Sequence, residues 1–311
     1  MAFQLVLGHG PAGAATARLL VERGDAVRVV TRSATTVAPG VEHRRLDAAD
    51  SAALTRAADG ATAIYACASP PYHRWPVDWP PLVASIGAAA QASGALLVML
   101  SNCYGYGPVH GPLTEDLPLA ASGPKGRARA AVWTHLLGLH QQGRLRAVEV
   151  RASDFFGPGV TTGGHLAARL MPPLLRGRPV RVLGDPDVPH SWTYLPDVAR
   201  ALVRVADVEA AWGRPWHVPT APASSARTMI DALARQAGRP PVPVRRLSWG
   251  LVRALGLVSP PARELQEIRY QFDRPFTVDS SAFSARFGDQ ATPVEEQVGE
   301  TVAWWRSRPV T

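Results

Sequence analysis

The chain has 311 residues, 46% of them hydrophobic, with 33 Lys and Arg against 25 Asp and Glu, a formal charge of +8 and a sequence pI near 10.3. This length and apolar fraction supply a core for one large or two smaller domains and exclude a disordered chain. The arginines are scattered, with no run of five basic residues, which disfavours a nucleic-acid partner.

"FQLVL" (3–7) reads as a strand, "GHGPAG" (8–13) as a glycine turn, "AATARLLVERG" (14–24) as a helix stopped at Gly24, and "AVRVV" (26–30) as a second strand. A Gly-x-Gly-x-x-Gly turn between strand and helix is the pattern of a dinucleotide-binding unit. Gly8 makes the tight turn, Gly10 lets the backbone approach a pyrophosphate, and Gly13 lets helix and strand pack closely. Pro11 and Ala12 open the helix, whose first N–H groups face the phosphates. The second strand ends "VVTRSATT": Thr31, Arg32 and Ser33 stand where an acid would hold a ribose 2′-hydroxyl. That favours NADP(H) over NAD(H), unless Arg32 is one more exposed arginine.

"HRRLD" (43–47), "ATAIYACAS" (61–69), "ALLVMLSNCYG" (95–105) and "LRAVEVRASDFFGPG" (145–159) read as strands three to six, separated by Ala-rich helical stretches. The alternation predicts an α/β fold, a Rossmann-type doubly wound parallel sheet. "SPPYHRWPVDWPP" (69–81) reads as a stiff loop carrying Tyr72, His73, Trp75 and Trp79. Beyond about residue 160 Pro and Gly rise and the alternation stops. A dinucleotide-binding domain over 1–165, with 190–220 returning to it, and a smaller C-terminal substrate-binding lobe over 166–189 and 221–311 are expected. Cys67 and Cys103 give neither a metal spacing nor a disulfide framework. No apolar run reaches the roughly 18 residues of a membrane span, and the N-terminus carries no basic leader. The expectation is a cytoplasmic protein with no metal, no nucleic acid and no membrane among its partners.

Four ordered segments, "GHGPAG", "LSNCYGYGPVHGPLTEDLPL" (100–119), "VRASDFFGPG" (150–159) and "VLGDPDVPHSWTYLPDVARALVRV" (182–205), resemble the extended short-chain dehydrogenase/reductase superfamily, the NAD-dependent epimerase/dehydratases, over nearly the full chain. The resemblance implies cofactor contacts at Asp47 and Ala48 after the third strand and at Ala66, Cys67 and Ala68 after the fourth. Asp47 suits a helix N-cap as well. It implies substrate contacts at Tyr72, Asp154, Phe156, His190, Trp192 and Tyr194, and a possible homodimer.

Typical members carry a Tyr-x-x-x-Lys pair and an upstream Ser or Thr. Lys125 is this chain's only lysine and position 121 is alanine; aligning Arg127 with the lysine places Gly123 at the tyrosine. The Ser/Thr position falls on Asn102. The family's usual acid is therefore missing, and Tyr104, Asn102 and Lys125 become the catalytic candidates, with Tyr104 as proton donor, Asn102 polarising a carbonyl, and Lys125 or Arg127 near the ribose. Lys125 also suits a loop charge in a "GPKGR" turn. The leading expectation is an NADPH-dependent reductase of a small uncharged carbonyl, imine or conjugated alkene. A catalytically silent NADP sensor and an epimerase or dehydratase that recycles its cofactor are the alternatives. His190 stands where sugar-nucleotide enzymes place a phosphate-binding arginine, and a His beside Asp154 suits either a proton relay or a structural role.

Overall fold

The computed structural model describes residues 2–308. In chain order the elements are β1 (Phe3–Leu7), α1 (Pro11–Glu22), β2 (Ala26–Thr31), β3 (Val41–Arg45), α2 (Ser51–Ala57), β4 (Ala63–Ala66), α3 (Trp75–Ser93), β5 (Leu96–Asn102), α4 (Pro124–Gln141), β6 (Arg146–Ala152) and β7 (Asp154–Phe156). They continue with α5 (Met171–Leu175), β8 (Val180–Leu183), β9 (Pro189–His190), β10 (Trp192–Tyr194), α6 (Leu195–Ala206), β11 (Pro215–His217), β12 (Ser224–Ser225), α7 (Ala226–Gln236) and β13 (Val244–Leu247). The chain closes with α8 (Trp249–Leu255), α9 (Pro260–Glu264), α10 (Tyr270–Asp273), α11 (Ser281–Phe287) and α12 (Val294–Arg306).

Two compact units divide the chain. The first comprises residues 1–107, 118–152 and 198–216. Its seven-stranded sheet runs β11-β6-β5-β4-β1-β2-β3, with β1 to β6 paired in parallel. The central strands β1, β4 and β5 read as near-continuous apolar runs because they are buried on both faces, and Leu5, Val6, Leu7, Ile64, Tyr65, Leu97, Val98 and Met99 are fully buried. Strand order reverses between β1 and β4, where open α/β sheets hold ligands at their carboxyl ends.

Segment 69–81 departs from the loop reading. A 3₁₀ turn covers Tyr72–Arg74, and α3 starts at Trp75 despite Pro76, Pro80 and Pro81. Pro76 falls in the first turn, where no N–H bond is lost. Pro80 and Pro81 each remove one. Burial of Trp75 and Trp79, one turn apart, overrides that loss.

The second unit comprises residues 108–117, 153–197 and 217–311. The division therefore falls at 152/153 rather than 165/166, and 108–117 goes with the second unit. Main-chain bonds explain the latter: Leu113 N–H donates to Thr277 O and Asp279 N–H to Leu113 O, each at 2.8 Å. Three two-stranded pairs, β7 with β10, β8 with β13 and β9 with β12, pack with α5, α7 and α12 around a core that includes Phe156, Leu170, Met171, Leu174, Ile230, Leu233 and Val302. No helix among the described residues is long and apolar enough to cross a membrane.

Candidate cofactor and active site

The glycine turn follows β1 directly, and Gly8 N–H donates to Val30 O at 2.8 Å. A Cβ at Gly13 would lie 2.1 Å from Gly8 O, so the third glycine is demanded by the packing of α1 on the turn. A Cβ at Gly10 would meet nothing within 4 Å. Gly10 is exposed and N-caps α1, with no side-chain hydrogen bond at the cap and no acid in the first turn. Pro11 has no N–H to offer, so the first-turn N–H groups of Ala12 and Gly13 stand at the positive end of a twelve-residue helix, which fits a dinucleotide pyrophosphate.

At the end of β2, Thr31 Oγ1 donates to Ser33 O at 2.6 Å and lies 2.7 Å from His43 Nε2. Arg32 and Ser33 are exposed. Thr31 pairs in register with Arg45 at the end of β3, and Arg45 Nε donates to Arg32 O at 3.1 Å. Two exposed guanidinium groups thus flank this strand end, and Arg45 was not among the residues singled out from sequence. Burial, and secondarily His43, hold the His9 imidazole below its ordinary range.

Asp47 does not cap α2. Its Oδ1 accepts from Ala49 N in a local turn, and Asp50 Oδ1 caps the helix by accepting from Ala53 N, each at 3.0 Å. Asp47 is exposed beside buried Ala48. After β4, Ala66, Cys67 and Ala68 run past the glycine turn; a Cβ on Gly8 would lie 2.8 Å from Ala68 Cα. Burial pushes the Cys67 thiol up to about 12, against a hydrogen bond with Thr16. It is a packing residue rather than a nucleophile.

At the end of β5, Asn102 Oδ1 accepts from Tyr104 N at 3.1 Å, an orientation in which the NH₂ supplies the donors of that amide. Tyr104 begins a 3₁₀ turn to Tyr106, and α4 packs on it. A Cβ at Gly126 would lie 2.6 Å from Tyr104 O, so glycine there lets the helix settle against the turn. Lys125 is consequently no loop charge: it occupies the first turn of α4 with 1% of its surface exposed. Its Nζ lies 5.2 Å from the Tyr72 ring centre, and Tyr72 meets Tyr104 at 6.3 Å and Trp75 at 5.0 Å. Arg127 is exposed and donates to Ser122 O, which removes it from this cluster. Arg129 takes the place, one turn beyond Lys125 and buried, with its guanidinium 4.4 Å from Trp79 and Nη2 donating to Leu100 O at 2.9 Å. Burial brings Arg129 down to about 10. Its signal in the sequence was the four-residue step "KGRAR", taken forward from the lysine instead of backward.

Behind this wall, Arg151 Nε donates to Glu149 Oε2 and Nη1 to Tyr106 Oη, both at 2.6 Å and all buried. Burial holds the Tyr106 phenol above its ordinary range. It is a structural hydroxyl.

The profile of the NAD dependent epimerase/dehydratase family matches residues 4–218. The chain belongs to that family. WbmH of Bordetella bronchiseptica, solved with NAD+, is 21% identical over 99% of both chains with a TM-score of 0.74. The dTDP-glucose 4,6-dehydratase of Bacillus anthracis, solved with NAD, is 14% identical over 98% of this chain and 97% of that one, with a TM-score of 0.79. The UDP-N-acetylglucosamine 4-epimerase of Bacillus cereus is 14% identical over 100% and 99%, with a TM-score of 0.80. At these identities the likeness establishes the fold. No curated protein matches the sequence.

In this epimerase/dehydratase-family chain, the second unit carries five of the six residues singled out for substrate, while Tyr72 lies in the first. Asp154 Oδ2 lies 2.8 Å from His190 Nε2, and His190 Nδ1 lies 3.1 Å from Gln271 O. A carbonyl only accepts, so Nδ1 bears a hydrogen. Burial raises Asp154, while the bond to His190 and the neighbouring histidines lower it further, leaving it below the ordinary carboxylate range. Trp192, Phe272 and Phe276 surround the His190 ring at 4.3, 5.5 and 5.4 Å. Phe156, Trp192 and Tyr194 belong to the hydrophobic core. Trp192 Nε1 donates to Ser224 O and the Tyr194 hydroxyl to Glu300. All three are thus packed within the core of this unit. A cleft of about 640 Å³ in this unit, bounded by Thr220, Thr277, Asp279, Ser280 and Ser284, includes none of the residues singled out from sequence.

Proposed function

We propose that the chain is an NADP(H)-dependent oxidoreductase that reduces a small uncharged carbonyl, imine or conjugated alkene, with Lys125 as the proton donor in place of Tyr104. The observation that carries this reading is the burial of the only lysine on the first turn of α4, against the same Tyr72 ring that Tyr104 touches. A reduced nicotinamide dinucleotide supplies the hydride when bound. The chain's own groups supply the rest. The Asn102 NH₂ donates to the substrate heteroatom, and the Lys125 ammonium gives its proton to that atom as negative charge develops. Arg129 holds positive potential without releasing a proton. Tyr72, Trp75 and Tyr104 offer an apolar, aromatic wall suited to an uncharged substrate. Arg32 and Arg45 support the choice of a 2′-phosphate, and their strand ends carry no acid at Thr31, Arg32 or Ser33.

Family membership favours a second reading, an epimerase or dehydratase that recycles its cofactor. His190 argues against a diphosphate ligand at its position, since its ring is buried and both nitrogens face acceptors.

One experiment separates these. Purified protein is titrated with NADPH and NADH and then offered ketones, imines, enones and nucleotide sugars, with both cofactor consumption and products followed. Net NADPH loss with reduced product supports the reductase. Product without net loss supports recycling, and tight dinucleotide binding without any product means a sensor. Paired Arg32→Ala and Arg45→Ala changes are expected to weaken NADPH about tenfold or more and spare NADH; equal effects on both cofactors would remove the 2′-phosphate assignment.

A further inference from the structure

Residues 239–263 hold five arginines, Arg239, Arg245, Arg246, Arg253 and Arg263, and no acidic residue. All five are exposed. Among the described residues only Arg246 of the five meets a carboxylate, that of Asp273 at 2.7 Å. Arg239 and Arg263 donate Nε to neutral acceptors, the backbone oxygens of Leu175 and Gly256.

The same stretch carries Leu251, Leu255, Leu257 and Val258, exposed to 48%, 47%, 80% and 84%. A single exposed leucine calls for no explanation, but four large aliphatics within eight residues do. Leu251 and Leu255 stand one turn apart on α8, while Trp249 and Val252 anchor the opposite side of that helix in the protein. Leu257 and Val258 follow buried Gly256 at the tip between α8 and α9.

We propose that this surface docks on an anionic lipid bilayer. Leu257 and Val258 enter the headgroup region, Leu251 and Leu255 lie against it, and the arginines meet lipid phosphates while their stems rest on apolar surface. Charge complementarity selects this occupant. A second copy of the chain, brought up by a two-fold axis, would set the same arginines, four of them with no carboxylate partner among the described residues, against one another. The proposed peripheral contact differs from the expectation that no membrane takes part, and it stands independently of the reaction proposed above.

The test is flotation of the full chain with vesicles of phosphatidylcholine alone and of phosphatidylcholine with phosphatidylglycerol, at low and high salt. Binding is expected to the anionic vesicles and to fall as salt rises. Leu257→Asp with Val258→Asp is expected to lower it about tenfold or more, and Arg245→Gln or Arg253→Gln about fivefold each. Thermal unfolding of each variant shows whether it folds, and the arginine variants carry the same readout should the aspartate pair fail. Equal binding to neutral and anionic vesicles, no binding to either, or indifference to these substitutions overturns the proposal. So does retention on immobilised polyglutamate without vesicle binding, which would assign the surface to an acidic protein.

Discussion

Lys125 and Arg129 stand one turn apart on the buried face of α4, the ammonium 5.2 Å from the centre of the Tyr72 ring and the guanidinium 4.4 Å from that of Trp79. Two cations occupy one aromatic wall, and the proposed mechanism gives the proton transfer to the lysine. Lys125→Met and Lys125→Arg are both expected to slow turnover about a hundredfold or more while dinucleotide titration is retained. Tyr104→Phe is expected to leave the rate within a few-fold. Steady-state kinetics on any substrate found would decide, and the reverse pattern returns the role to Tyr104.

The glycine turn separates binding from folding. Gly10→Ala adds a methyl to open space at φ −71°, which an L-residue adopts readily, so stability is expected to hold while dinucleotide affinity falls at least about tenfold. Gly13→Ala drives a methyl into Gly8 O and is expected to cost about 3 kcal/mol in urea unfolding. Equal loss of affinity and stability in both variants would contradict this assignment.

Glu149 is the carboxylate partner of buried Arg151. Glu149→Gln leaves that guanidinium without a full counter-charge near another buried cation, Arg129, and is expected to cost about 3–5 kcal/mol. The double change Glu149→Leu with Arg151→Met is expected to recover most of the loss. Chemical denaturation of the two variants provides the comparison.

His165 is buried between Phe272 and Trp192, and burial lowers it from 6.5 to about 4. In the unfolded chain the imidazole takes up a proton as pH falls through 6.5, while the folded form resists until about 4. This contribution to stability is therefore complete above pH 6.5 and is lost progressively down to pH 4, by about 3 kcal/mol. Urea unfolding between pH 7 and 4 should show the decline, and His165→Phe should flatten it. An unchanged slope would place the acid sensitivity in other groups, with Asp154 the nearest.

Local pattern carried much of the fold. Strands buried on both faces appear as apolar runs such as "LLVML", and the glycine spacing records a steric fact, the 2.1 Å approach to Gly8 O, within a few residues. The segment 69–81 was misleading for the same reason: its prolines argue locally for a loop, and the indoles of Trp75 and Trp79 that make it a helix act through distant packing. Arg129 was missed because burial and the i,i+4 step had to be known together, whereas the sequence displays spacing alone. Tyr194, Trp192 and Phe156 pack in a core, a placement the sequence does not display because polar-tipped and aromatic side chains suit pockets and cores alike.

The sequence by itself determined the doubly wound sheet, the dinucleotide turn and the absence of a tyrosine four residues before the only lysine, since each is written in neighbouring residues. Tertiary structure alone decided that Lys125 is buried beside Tyr72, that Arg129 and not Arg127 joins it, that Arg45 stands beside Arg32, and that residues 108–117 belong to the second unit. Those facts depend on which groups from remote parts of the chain exclude water from one another, and spacing along the backbone carries no record of that.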